Sequence, residues 1–303
     1  MTIDAHLHLW DLEHGEYAWL SDAVAPINRT VTLGEVEPQL LAAGIDRAVL
    51  VQAANTPEDT AAMFAVAERA PVVAGIVGWA DLLNPDGLAA TLDAYASSGP
   101  LVGLRHLIHD EPDPDWLGRD PVRASLVQLA SRDLAYDVIG VLPRHLEHAI
   151  GLADQLPELR LVIDHLGTPP VRDGAPRTSR WAELMRDLSE RPNVFVKLSG
   201  LTTLGPEGRA SADMIRPFSD VALETFGPGR LLFGGDWPVS TLATAYAETT
   251  RITLSLLSDL DDDRRRDVLG GAAERAYRLR GAARPERLSA GAGASTSHRR
   301  RGG

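Results

Sequence analysis

The stretch Ile3–Trp10, IDAHLHLW, opens the chain with an apolar, strand-like run that nevertheless carries two histidines spaced i, i+2. In a β-strand alternate side chains share a face, so His6 and His8 point the same way and Ala5, Leu7 and Leu9 take the other. Two imidazoles aimed at one spot suit a metal or proton-transfer site. They equally suit a hydrogen-bonded polar pair in a barrel core. The rest of the chain has to supply their partners.

Downstream the sequence alternates. β-Branched apolar runs recur at RAVLVQ (47–52), VVAGIVGW (72–79), LVGLRHL (101–107), YDVIGVL (136–142), LRLVIDHL (159–166), VFVKLSG (194–200) and RLLFGGDW (230–237). Helix-forming segments lie between them, several opening on start signals such as Asp59, Asp120 and Pro143. With the first strand this makes eight strands at a spacing of roughly 30 residues, which implies right-handed βαβ units and a parallel sheet. The fold class predicted is α/β, a single (β/α)8 TIM barrel over residues 1–282. A doubly wound sheet would carry a Gly-rich phosphate turn after its first strand, and none is present. The polar, aromatic stretch 11–32 reads as a loop before a short helix near Leu33–Ala43. The last helical segment, DDRRRDVLGGAAERAYRLRG (262–281), is expected on the barrel exterior, and residues 283–303 read as a disordered C-terminal tail.

Composition narrows the class. The 303 residues are 44% hydrophobic and 24% charged, ordinary for a soluble globular protein. A formal net charge of -12 argues against nucleic acid or an anionic membrane as the main partner. The absence of cysteine excludes disulfides, thiolate zinc ligands and a cysteine nucleophile, and fits a reducing cytoplasm. No basic-then-apolar leader is evident, and no apolar run approaches the roughly 20 residues of a membrane span. The expectation is a cytoplasmic protein acting on a small molecule, with assembly into a homo-oligomer left open.

Barrel enzymes place their chemistry at the C-terminal ends of the strands. Here those ends offer His6 and His8, then Gln52, Trp79, Arg105 with His106, Asp164 with His165, Lys197 with Ser199, and Asp236 in GGDWP. Charged or imidazole groups at nearly every strand end converge on one pocket. Strand alternation sends Asp164 to the opposite face, into a structural salt bridge. Lys197 divides evenly between a barrel ion pair and the substrate site, and Trp10, Trp79 and Trp237 suit either pocket walls or core packing. His14, His109, His145 and His148 lack a strand-end position and read as surface or loop residues.

These motifs carry a resemblance. H-x-H on strand 1, histidine on strand 6 and aspartate on strand 8 are similar to the amidohydrolase superfamily. The ordered set DAHLHLWDLEHGEYAWL, VLVQAANTPEDT, VGWADL, LVGLRHLIHDEPDPDWL, LVIDHLGTPP, VKLSGL and LLFGGDWPVSTLATAY resembles its amidohydrolase-2 group of L-fuconolactonase- and L-rhamnonolactonase-like sugar-lactone hydrolases. The likeness runs to about residue 280. It implies a hydrolase opening a small sugar-acid lactone, with Asp236 as general base and His165 and His8 also catalytic. Arg105, His106, Lys197, Gln52, Trp79 and Trp10 are the expected substrate contacts. His6, His8, His165 and Asp236 are the expected ligands of one divalent ion, zinc or manganese. In a metal-independent version the histidines and Arg105 polarise the carbonyl directly.

The departures are equally specific. Strand 5 ends Val141-Leu142-Pro143 without a histidine, and Arg105-His106 on strand 4 cannot bridge two cations, so a binuclear centre is not expected. Gly235 stands where the group usually has Ser, which is expected to loosen the approach to Asp236. Ala272-Ala273 replaces its Asn-Ala. The rival activities are a decarboxylase of the same superfamily, an amide or ring-opening hydrolase, and a non-catalytic barrel that binds a sugar acid.

Overall fold

Each apolar run becomes a strand, in every case shorter than the run. In a computed structural model, which describes residues 1–279, the strands are β1 (Ile3–Leu7), β2 (Arg47–Val51), β3 (Val73–Gly78), β4 (Leu101–His106), β5 (Ala135–Val138), β6 (Leu161–Ile163), β7 (Val194–Leu198) and β8 (Leu231–Phe233). They pair in parallel in chain order. The ring closes just beyond β8, where Asp236 N donates to His6 O and His8 N to Trp237 O, both at 2.8 Å. The α/β barrel expectation holds. The disordered-tail expectation for 283–303 lies outside the described residues.

Between the strands run α1 (Leu33–Ala42), α2 (Pro57–Ala67), α3 (Pro85–Ser98), α4 (Asp120–Ser131), α5 (Pro143–Gln155), α6 (Arg180–Ser189) and α7 (Ala212–Phe226), with α8 (Tyr246–Leu256) after β8. Local chemistry sets their starts. Thr56 caps α2 by accepting from Asp59 N, with proline at the first helical position, so Asp59 lies in the first turn rather than at the cap. Strand alternation sorts the core. Leu161 and Ile163 of β6 and Val194 and Val196 of β7 pack beneath the helices with Leu184 and Phe218. Val162 and Phe195 belong to a separate inner cluster.

That inner cluster overturns one expectation. The terminal segment, α9 (Asp262–Arg266), a π-turn at Asp267–Gly271 and α10 (Ala272–Tyr277), does not lie on the outer wall. Ala272, Ala273, Ala276 and Tyr277 pack against Ile3, Val49, Val102, Ala135 and Leu232, and so stopper the end of the barrel where the strands begin. Tyr277 reaches in far enough for its hydroxyl to donate to Asp137 Oδ2 at 2.7 Å. Apolar periodicity says that a helix face is buried, but not against which surface. Among the described residues no helix is long and apolar enough to cross a membrane.

Candidate active site

His6 on β1 and His8, the residue just past its end, meet with their Nε2 atoms 3.0 Å apart. Strict alternation fails around them. The β1–β2 register shifts between Asp4 and Leu7, and Ala5 joins the inner cluster while Leu7 joins the outer one. Asp4 pins this irregular strand. Its Oδ1 accepts from His6 N (3.0 Å) and Gly235 N (2.8 Å), and its Oδ2 from the Tyr246 hydroxyl (2.7 Å). Burial pushes the Asp4 carboxyl up to about 6 despite these bonds. Gly235 is therefore tethered rather than loose. A Cβ there would come within 2.3 Å of Tyr246 Cε2 and 2.5 Å of Asp4 Oδ2, so the space a serine would fill is taken.

After β6 the chain departs from extended geometry. His165 and Leu166 adopt left-handed φ angles of 53°, a conformation uncommon for residues other than glycine. Asp164 falls in step with the inward Val162 and the turn swings His165 in beside it, so Asp164 does not take the face opposite His165 that was expected. Its carboxylate pairs with Arg105 Nη1 (2.9 Å) and Lys197 Nζ (2.9 Å) and lies 3.3 Å from His6 Nδ1. Burial works against its charge, but the cations of Lys197 and Arg105 and the contact with His6 hold it well below the usual carboxylate range. The expected structural salt bridge is present and is part of the site.

Lys197 is fully buried, beside Asp137 and Asp164, and stands 3.0 Å from His6 Nδ1. Burial pushes Asp137 up to about 6, with the neighbouring ammonium opposing. Burial, reinforced by that same charge, carries His6 well below the ordinary histidine value, so its ring is neutral at pH 7. Burial lowers His165 as well, with Asp236 and Asp164 opposing. Asp236, at φ 53°, directs Oδ1 to within 3.5 Å of His8 Nε2 and 3.7 Å of His6 Nε2.

These groups floor a cavity of about 170 Å³ at the C-terminal end of the barrel, reached by His8, Arg105, His165 and Asp236. Its walls are Trp19, Ala53, Leu107, Ile139 and Val239, with His109 at the rim. Trp19 and His109 were missed from the sequence. Both stand in segments that matched the family motifs, but on loops whose course no periodicity reveals.

Three expected contacts sit elsewhere. Trp79 Nε1 donates to His106 Nδ1 (3.0 Å), whose Nε2 meets Glu111 (2.7 Å), while the His106 ring stacks on Trp116 at 4.0 Å. Trp10 is buried, donates to Arg29 O and packs edge-on against Trp19. Gln52 lies between floor and scaffold, its Nε2 donating to Arg105 O (3.2 Å) and its main-chain carbonyl accepting from Arg105 Nη2.

The donor set suits one metal ion. His8 Nδ1 lies 2.8 Å from Val51 O, which can only accept, so the ring donates from Nδ1 and leaves its Nε2 lone pair on the side of His6 Nε2, 3.0 Å away. Bonds of about 2.0–2.2 Å put tetrahedral zinc ligands roughly 3.3–3.5 Å apart. The His8–Asp236 and His6–Asp236 separations of 3.5 and 3.7 Å are close to that. Ligand atoms of His6, His165 and Asp236 all fall within 4.8 Å of one another. On β5 itself the structure offers Asp137, which is committed to Lys197 and Tyr277.

Residues 3–279 match the amidohydrolase family along essentially the whole barrel. The chain belongs to that family and is a hydrolase. This amidohydrolase is 36% identical over 248 residues to an L-fucono-1,5-lactonase of Burkholderia ambifaria, covering 81% of this chain and 83% of that one. It is 32% identical over 289 residues to an L-fucono-1,5-lactonase of Burkholderia multivorans, covering 92% and 96%. A crystal structure of a Burkholderia multivorans amidohydrolase with bound zinc superimposes with a TM-score of 0.87 at 30% identity, covering 92% of this chain and all of that one.

Proposed function

We propose that this amidohydrolase opens a neutral sugar-acid lactone, such as fuconolactone or rhamnonolactone, by water attack on the ring carbonyl, with Asp236 as general base. The observation that carries this reading is a carboxylate set beside two imidazoles, facing a pocket whose cationic side chain is already neutralised. Among the described lining residues Arg105 is the one fixed cation, and it is paired with Asp164. A substrate carboxylate would meet Asp236 with no free counter-charge, which disfavours the decarboxylase reading. An uncharged lactone meets no such penalty, and the two fuconolactonase relatives are named for substrates of that kind.

In this scheme Asp236 takes a proton from water as its oxygen bonds to the carbonyl carbon. The acyl carbon–ring oxygen bond then breaks, and the ring oxygen takes up a proton to leave a hydroxy acid. His8 and His165 flank the base and orient it, and the guanidinium edge of Arg105 faces the developing oxyanion. Lys197 and Gln52 act through His6 and Arg105, while His106, Trp79 and Trp10 support the walls. His6, His8, His165 and Asp236 would hold one divalent ion, which when bound supplies Lewis-acid polarisation and a more acidic water. The test is a panel of aldonolactones with a pH indicator, with and without chelator. Acid release that depends on intact Asp236 supports the reading, and no acid release from any lactone refutes it.

A further inference from the structure

On the pocket floor Arg105 is paired with Asp164, His8 Nδ1 with Val51 O and His165 Nδ1 with Ser199, and the side chains of the walls above offer almost no hydrogen bonding. Trp19 directs its indole N–H to Ala53 O at 2.8 Å, and Leu107, Ile139 and Val239 have nothing to offer. His109 is the exception. It sits on the single turn Ile108–Asp110 directly after β4, with its side chain 31% exposed. Its nearest charged neighbour among the described residues is Asp110 Oδ1 at 3.6 Å, beyond hydrogen-bond range, and neither ring nitrogen has a partner among them.

The turn that carries this ring is well held. Leu107 N donates to Asn55 Oδ1 at 2.8 Å and Asp110 N to Leu107 O at 3.1 Å. Below it Arg105 is pinned by Asp164. The structure thus sets an imidazole without a protein partner, among the described residues, on a fixed turn in an otherwise apolar wall. Burial holds its pKa below the ordinary histidine value, with Asp110 opposing and Arg105 assisting. Near neutral pH the ring therefore carries one donor and one acceptor, the pair that a hydroxyl group matches.

We propose that His109 is a specificity-determining residue whose imidazole hydrogen-bonds a substrate hydroxyl at the mouth of the pocket, so that the enzyme selects hydroxylated lactones over analogues lacking that hydroxyl. This rests on the lactonase reading above. A protein group that pairs a substrate hydroxyl discriminates against its absence, modestly at a half-exposed rim position where water can take the vacated place.

The experiment compares wild type, His109→Leu and His109→Gln on the preferred aldonolactone and on its monodeoxy analogues. His109→Leu lowers kcat/KM on the parent lactone by about tenfold, chiefly through KM, and His109→Gln restores most of it. For one monodeoxy lactone, the one lacking the contacted hydroxyl, the Leu substitution costs nothing further. An equal loss on every analogue, or no loss on the parent, overturns the assignment while leaving the lactonase reading intact. A wild-type enzyme that opens none of these lactones refutes the lactonase reading, and the role of His109 falls with it.

Discussion

Replacing Asp236 by Asn removes the proposed base, and with it the anionic ligand it would give a metal ion, while leaving the backbone around it in place. The hydrogen bonds that hold the residue are main-chain ones, Asp236 N to His6 O and Ser240 N to Asp236 O, each 2.8 Å, and both survive the change. Its φ of 53° lies in the left-handed region, where Asn is among the best-tolerated residues, so the substitution adds no backbone strain. The amide keeps the shape of the carboxylate beside His6 and His8 but cannot take a proton from water. A positioned general base contributes typically 10²–10⁴ in rate, so turnover on the preferred lactone falls by at least about a hundredfold, or about 2.7 kcal/mol of transition-state stabilisation. The loss falls on kcat more than on KM, because the base acts in the transition state. Steady-state lactone hydrolysis measures it, with a thermal melt to verify that the variant is folded. A folded variant with near-normal kcat would refute the general-base assignment.

His165→Asn loses activity to a similar order, and the double variant with Asp236→Asn is far from additive, since the two act on one centre; an additive double variant argues that they act separately. Elemental analysis of the purified protein finds no more than about one divalent ion per chain, whereas two ions would point to a bridging ligand contributed by β4 or β5. Gly235→Ala drives a Cβ to within 2.3 Å of Tyr246 and destabilises the fold by about 1–3 kcal/mol of overpacking, read as a lower urea midpoint at constant slope. An unchanged midpoint would mean that the Asp4–Tyr246 contact gives way more easily than its geometry implies.

The barrel itself was legible because its signal is local and repeated. Eight apolar runs, each followed by a helical segment, appear in the structure in the same order, and the strand-end rule brought His6, His8, Arg105, His165, Lys197 and Asp236 together. Reading by alternation failed where strands stop being strands. Asp164 was assigned outward on the premise that His165 is the inward residue, whereas Asp164 falls in step with the inward Val162 and it is His165 that a left-handed turn past the end of β6 brings in. Gly235 seemed a weakness in isolation and is instead fitted around Asp4 and Tyr246, residues 231 and 11 positions away in sequence.

Periodicity, strand-end chemistry and the ordered motifs thus determined the fold, the family and the residues of the floor, because each depends on neighbours within a few positions or on a rule that all such barrels obey. The walls were decided only in three dimensions. Trp19 lines the cavity while Trp10 stands behind it, His109 faces the cavity while His106 is stacked away on Trp116, and α10 stoppers the far end of the barrel instead of lying along its side. These placements depend on where loops land and which surfaces long-range packing leaves open, and a pattern of neighbouring residue types carries no record of either.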